Sequence, residues 1–298
     1  MNKLLSSLAV LAILAPLAAC QAPLFNRTNP VNAQASRLRA ADASSRSHHP
    51  DFIRKLRNPA AYRFHRDAAV SSICGKNDLQ NVNSYDGSLG QPVDFVVKHK
   101  GAVAALAEGS PQNSDKFCSG TMISEDLFLT ASHCVDSEIV GKWAVFNYEV
   151  KGARELLPQD HFKVEAIVEE GFNGKPSLDY AILKIEGKPG LKYGFTPVRA
   201  TLPEEGHLMT IIQHPQGGPK MIESGPMAGE EGNYMLYADL DTEPGSSGSG
   251  VMDAEGFVVG VHTNGGCTGQ GGANRGVKMT DIAQSSATIK QLLSGRRR

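Results

Sequence analysis

Glutamate does not occur before position 108 of this 298-residue chain. Between residues 21 and 70 the acids are Asp42, Asp51 and Asp67, against nine Arg and Lys. The formal net charge of the whole chain is −1, so the remainder is acidic overall. A bulk charge so near zero gives no basis for nucleic-acid or membrane-surface binding. Neither a phosphate-cradling P-loop nor a Gly-x-Gly-x-x-Gly fingerprint is present, which removes the usual signatures of nucleotide binding. The nine His form no His-Glu-x-x-His pattern, and no two of the five Cys have Cys-x-x-Cys spacing. Zinc and dithiol redox chemistry therefore have no motif here, and neither a metal nor a cofactor is expected. Beyond the N-terminus no apolar run approaches the ~18 residues of a membrane-spanning helix.

What the chain does have begins with an address. Lys3 precedes an apolar stretch from Leu4 to Ala19, which ends Leu17-Ala18-Ala19-Cys20. Residues 1–20 read as a bacterial export signal. Leu-Ala-Ala-Cys resembles a lipoprotein signal box, in which Cys20 is lipidated; the alternative is ordinary cleavage near Ala19 or Ala22. Residues 21–71 read as a basic propeptide or linker, and 72–298 as the folded domain. Export permits disulfides. With Cys20 set aside for lipid, Cys74, Cys118, Cys134 and Cys267 remain, an even number.

The folded part reads as short strands. Apolar or β-branched runs recur at 95–97, 117–123, 127–130, 143–150, 162–168, 180–185, 208–212, 234–238 and 257–262, separated by Gly, Pro, Asn and Asp. Many short strands without helical periods between them predict an all-β sandwich or barrel. Asp253-Ala254-Glu255-Gly256 reads as a hairpin turn. Ile282, Ile289, Leu292 and Leu293 fall near one helical face, so one terminal helix is expected over 281–293.

Three segments carry the chemistry. They are Thr130-Ala131-Ser132-His133-Cys134, Asp179-Tyr180-Ala181-Ile182-Leu183 and Gly245-Ser246-Ser247-Gly248-Ser249. A serine hydroxyl is a weak nucleophile and needs a base within hydrogen-bond reach; the base needs an orienting partner on its other nitrogen. The oxyanion that forms needs two preorganised N–H donors. These segments resemble the histidine, aspartate and serine motifs of the trypsin-like serine proteases, in the chain order of the chymotrypsin-like enzymes. The resemblance implies two six-stranded antiparallel β-barrels with a C-terminal α-helix. It also implies a triad of His133, Asp179 and Ser247, and an oxyanion hole from the backbone of Gly245 and Ser247. Cys118 and Cys134 correspond to the disulfide that braces the histidine loop in that family.

Over about residues 72–298 the chain resembles more narrowly the V8-like glutamyl endopeptidases of bacteria. The matching stretches are Ser72-Ile73-Cys74-Gly75 with Asn77-Asp78, Tyr237 through Asp241-Thr242 to Ser249, and Val261-His262-Thr263-Asn264-Gly265 followed by Asn274-Arg275-Gly276. Gly250 departs from the proline usual there. By this resemblance Thr242 and His262 bind the P1 glutamate of protein or peptide substrates and the mature α-amine assists; Cys74 and Cys267 are the remaining pair, and a bond between them would pin the mature N-terminus beside the pocket. Asp241 points instead to a Lys- or Arg-specific pocket, since basic-specific trypsin-like enzymes carry an aspartate six residues before the nucleophile. A catalytically inactive lipoprotein binding module is the alternative of a different class. The missing glutamates have a consequence: a strictly Glu-specific enzyme cannot release itself near residue 71, so a separate processing protease, or self-cleavage after Asp67, is required. A monomer is expected, exported, with a lipid anchor on the precursor.

Overall fold

A computed structural model describes residues 72–152, 154–267 and 271–295. The signal at 1–20, Cys20 and the basic segment 21–71 lie outside the described residues. Among the described residues no helix is long and apolar enough to cross a membrane.

Fifteen strands and four α-helices follow one another along the described chain. They are β1 (Gln80–Asn81), α1 (Val93–His99), β2 (Val103–Ser110), β3 (Asn113–Met122), β4 (Leu127–Thr130), β5 (Trp143–Phe146), β6 (Val150–Lys151), β7 (Glu155–Leu156), β8 (Asp160–Glu170), β9 (Ala181–Ile185), α2 (Gly190–Tyr193), β10 (Leu208–Gln213), β11 (Met221–Glu231), β12 (Tyr234–Tyr237), β13 (Gly250–Asp253), β14 (Val258–Asn264), β15 (Asn274–Lys278), α3 (Met279–Ser285) and α4 (Ala287–Leu293).

Two closed antiparallel barrels of six strands result. The first runs β2-β3-β4-β9-β8-β5 and closes where β5 pairs back with β2. The second runs β11-β10-β13-β14-β15-β12 and closes through pairing of β11 with β12, while β1 adds to the edge of β11. Closure leaves few unpaired edges, and inward-facing side chains fill each interior. Leu106, Met122, Phe128, Phe146, Ile182 and Leu183 are fully buried in the first. Met209, Ile211, Met235, Tyr237, Val251 and Val259 form a core in the second. Fully burying one such side chain contributes roughly 1.5–3 kcal/mol.

Three expectations change. The run at 95–97 is helical, within α1: Pro92 precedes the helix, Asp94 lies in its first turn and Lys98 and His99 in its last, as the helix dipole favours. The expected terminal helix is two helices. Ser286 is extended between them (φ −78°, ψ 122°), and its hydroxyl accepts the Ile289 N–H at 3.0 Å, an N-cap that restarts the second helix. Strands β1, β2, β7, β11 and β13 fall outside the expected runs. The turn at 253–256 joins β13 to β14, with the Asp253 carboxylate accepting the N–H groups of Glu255 (3.0 Å) and Phe257 (2.9 Å).

Candidate active site

Strands β4 and β9 are antiparallel neighbours whose last pair is Thr130 with Ala181. His133 lies three residues beyond Thr130, in a short 3-10 turn over Ser132–Cys134, and Asp179 lies two residues before Ala181. Antiparallel register therefore brings both residues to the same end of one strand pair. Asp179 holds His133 at two points: Oδ2 meets Nδ1 at 2.7 Å and Oδ1 accepts the backbone N–H at 3.0 Å. A carboxylate only accepts, so Nδ1 carries the proton and Nε2 is left as the acceptor. Both side chains are 8% exposed.

Ser247 is fixed at the junction of the barrels through its backbone. Its carbonyl accepts the N–H of Ser119 on β3 at 2.8 Å. The next residue, Gly248, has φ +89°, and a Cβ there would stand 2.1 Å from Thr130 Oγ1 and 2.3 Å from Ser119 O. Only glycine permits that approach, and it sets Ser247 against the strand end that leads into His133. The Cys118–Cys134 disulfide joins β3 to the histidine turn at the same place, with Cys134 Sγ 3.7 Å from Ser247 O. Of the three serines here, Ser246 and Ser249 are buried, and Ser247 is partly exposed. Among the described residues neither Gly245 N–H nor Ser247 N–H donates a hydrogen bond.

The turn at 245–247 has a back wall that the sequence did not reveal. Ser119 Oγ donates to Gly245 O (2.8 Å) and accepts His214 N–H (2.9 Å), while Gln216 N–H donates to Pro244 O (2.5 Å). A Cβ on Gly245 (φ +98°) would meet Gly217 N and His214 O at 2.7 Å. The segment His-Pro-Gln-Gly-Gly-Pro at 214–219 forms this wall. Its paired glycines were the available signal. Burial pushes His214 down to about 3, so it stays neutral, and its Nδ1 donates to Gly218 O at 3.0 Å.

The remaining expected site residues lie around the same turn. Thr242 is fully buried and its hydroxyl has no hydrogen-bond partner among the described residues. His262 lies on β14, beside the serine turn: its carbonyl accepts Gly248 N–H and its N–H donates to Ser249 O, both at 2.8 Å. Its Nδ1 meets the Tyr237 hydroxyl at 2.5 Å. Burial, and then the nearby His133, push His262 down to about 3, and burial pushes Tyr237 well above its ordinary value. Asp241 is turned toward the N-terminal segment: Oδ1 accepts Cys74 N–H (2.6 Å) and Oδ2 accepts Asp78 N–H (3.2 Å). The same segment is held by the Cys74–Cys267 disulfide and by Ser72 O, which accepts from Thr242 N–H (3.2 Å) and Asn274 Nδ2 (2.6 Å).

Residues 118–261 match the family model described as a trypsin-like peptidase domain. The curated relative "Secreted RxLR effector protein 73" of Plasmopara viticola is 25% identical over 219 residues, which are 67% of this chain and 53% of that protein. The chain thus spans about half the length of that relative. Among solved structures, an HtrA-type protease AlgW with a tripeptide is 18% identical with a TM-score of 0.50, covering 68% of this chain and 64% of that one. A Glu endopeptidase in complex with MPD is 21% identical with a TM-score of 0.48, covering 66% and 90%.

Proposed function

We propose that this chain, which belongs to the trypsin-like serine proteases, hydrolyses peptide bonds through an acyl-enzyme, with His133, Asp179 and Ser247 as its catalytic residues. The observation that carries this reading is the two-point hold of Asp179 on His133 beside the partly exposed Ser247. The hold fixes the tautomer that a general base needs. Ser247 Oγ attacks the scissile carbonyl carbon as His133 Nε2 takes its proton. The resulting imidazolium, stabilised by Asp179, then protonates the leaving amine. Water repeats the sequence on the acyl-enzyme and restores Ser247. The oxyanion of each step is received by the unspent N–H groups of Gly245 and Ser247. One such donor contributes about 2.7–4 kcal/mol to the transition state.

We read the P1 preference as Glu ahead of Asp. Two buried neutral groups support it. The Thr242 hydroxyl is unspent, and His262 has Nδ1 engaged by Tyr237, so that with Tyr237 donating its proton, Nε2–H is a donor. A substrate carboxylate entering a dry pocket needs such donors. The rival reading, a Lys/Arg pocket built on Asp241, is disfavoured because Asp241 is buried and its carboxylate is turned toward the N-terminal segment at Cys74 and Asp78. From the sequence we further read the chain as an exported precursor, with Cys20 as its lipid attachment and release near residue 71 by another protease. N-terminal sequencing of the released form tests that part; a product beginning at Cys20 contradicts it.

The deciding experiment is cleavage-site profiling on a random peptide library, with protein processed to begin at about residue 71 and a Ser247→Ala control. Cuts after Glu that vanish in the control are expected. Ser247-dependent cuts after Lys or Arg would overturn the pocket assignment alone. Folded protein without Ser247-dependent cutting would overturn the proposed catalytic role.

A further inference from the structure

Outside the His133–Ser247 site, three acidic side chains converge where the N-terminal segment meets the second barrel. Carboxylate oxygens of Asp78, Glu223 and Asp241 lie within 4.8 Å of one another. They come from three separate stretches: the segment after Cys74, strand β11, and the loop leading to Ser247. Glu223 and Asp241 are each 1% exposed. Glu223 Oε1 accepts the Ser224 N–H at 2.9 Å, while its buried Oε2 receives no N–H or O–H among the described residues and faces the Asp78 carboxylate. Each Asp241 oxygen takes one backbone N–H and keeps a further lone pair. Asp78 is half-buried and gives the cluster a side open to solvent. The charges acting most strongly on Glu223, Asp239 and Asp241 are one another's and that of Asp78, all of one sign. Buried carboxylates without a counter-charge are costly, and either a proton or a cation must resolve them.

We propose that Asp78, Glu223 and Asp241 bind a hard divalent cation, namely calcium. The donors are all carboxylate oxygens, the set that suits a hard ion. Calcium–oxygen distances are about 2.3–2.6 Å, so two oxygens on one ion stand at most about 5 Å apart, and the cluster meets that limit. One ligand sits on a strand and two on irregular segments, which fits calcium's tolerant shell better than magnesium's strict octahedron. Water entering past Asp78 completes the coordination. The bound ion ties residues 74–78 to β11 and to the residue preceding Thr242, next to the Cys74–Cys267 bond. Without the ion, Glu223 holds a proton: burial, then the charge of Asp78, push it up to about 10. Burial pushes Asp241 up to about 6. At neutral pH the ion must therefore displace the Glu223 proton.

The test uses the full chain with Ser247→Ala, so that it is independent of whether the protein is a peptidase. After chelation and dialysis the protein is titrated with CaCl2 by calorimetry at pH 7 and pH 8, in buffers of differing ionisation enthalpy. One site with Kd on the order of 0.1–1 mM at pH 7 is expected, with one proton released and binding about tenfold tighter at pH 8. Glu223→Gln keeps the shape and the Ser224 contact; it is expected to weaken binding at least tenfold and to abolish proton release. Asp78→Asn, at a half-buried position, is expected to weaken binding likewise and carries the test if the Glu223→Gln chain does not fold. Neither heat nor thermal shift up to about 10 mM CaCl2 overturns the proposal. So does unchanged affinity in both variants.

Discussion

The two barrels contribute to one candidate site by different means. In the first, His133 and Asp179 stand together because β4 and β9 are paired strands whose ends coincide, and the geometry follows from a ladder register only four pairs long. In the second, the serine turn closes on local bonds between Glu243 and Ser246, but its placement is set by distant segments. Gly245 leans on the loop 214–217, Gly248 wedges against Thr130 of the other barrel, and Asp241 grips Cys74, 167 residues away in sequence. Geometry carried by register is fixed by neighbouring residues. Geometry carried by a loop depends on contacts that form only when distant segments have closed.

The largest expected effect breaks the first barrel's contribution. Asp179→Asn puts an amide where a carboxylate held the histidine, favouring the wrong tautomer. On the proposed mechanism, kcat falls about 10⁴-fold at neutral pH, while the melting temperature moves by no more than a few degrees. A fall below tenfold in peptidase assays would remove Asp179 from the mechanism. The second effect sets the barrels against each other through their cystines. Cys118–Cys134 spans 16 residues and Cys74–Cys267 spans 193. On the chain-entropy argument, removal costs about 3 kcal/mol for the first and about 5 for the second. Chemical denaturation of the two double Cys→Ala variants measures this, and equal losses would mean that the long-range closure does not govern the second barrel. The smallest effect concerns acid. The second barrel's His262 is held neutral down to about 3, while in the unfolded chain it protonates near 6.5. Its contribution is full above about 6.5 and is lost as pH falls toward 3, at up to roughly 1.4 kcal/mol per pH unit. His262→Gln should lower the slope of unfolding free energy against pH between 4 and 6 by about that amount. An unchanged slope would show that His262 does not refuse a proton in the folded state. Glu223 has the opposite sign: its folded value is raised from 4.5 to about 10, so its contribution is full below about 4.5 and is lost as pH rises toward about 10.

The same contrast decides what could be read from sequence. The His133 and Asp179 motifs were legible because each sits at the end of a short apolar strand whose residues declare it, and β4 is the run 127–130 itself. Strand β2 was not, since Ala104, Ala105 and Ala107 carry no β-branched signal and their strand state comes from burial between β3 and β5. Strand β11 was hidden by Gly225 and Pro226, yet a Cβ at 225 would stand 2.1 Å from Asp239 O, so that glycine marks a close approach rather than a break. The run 95–97 was too short to carry a period, and Pro92 decided for a helix. The orientation of Asp241 was illegible for a plain reason: its N–H partners lie 163 and 167 residues away. Glu223 gave no motif at all; its neighbours are assembled by the barrel.

The bond between Cys74 and Cys267 also makes the described chain almost a ring. On the proposed function, its own loops are exposed to its siblings. A single nick anywhere between Gly75 and Gly266 leaves two pieces that remain one covalent molecule. Loop cleavage then changes connectivity without changing mass by more than one water.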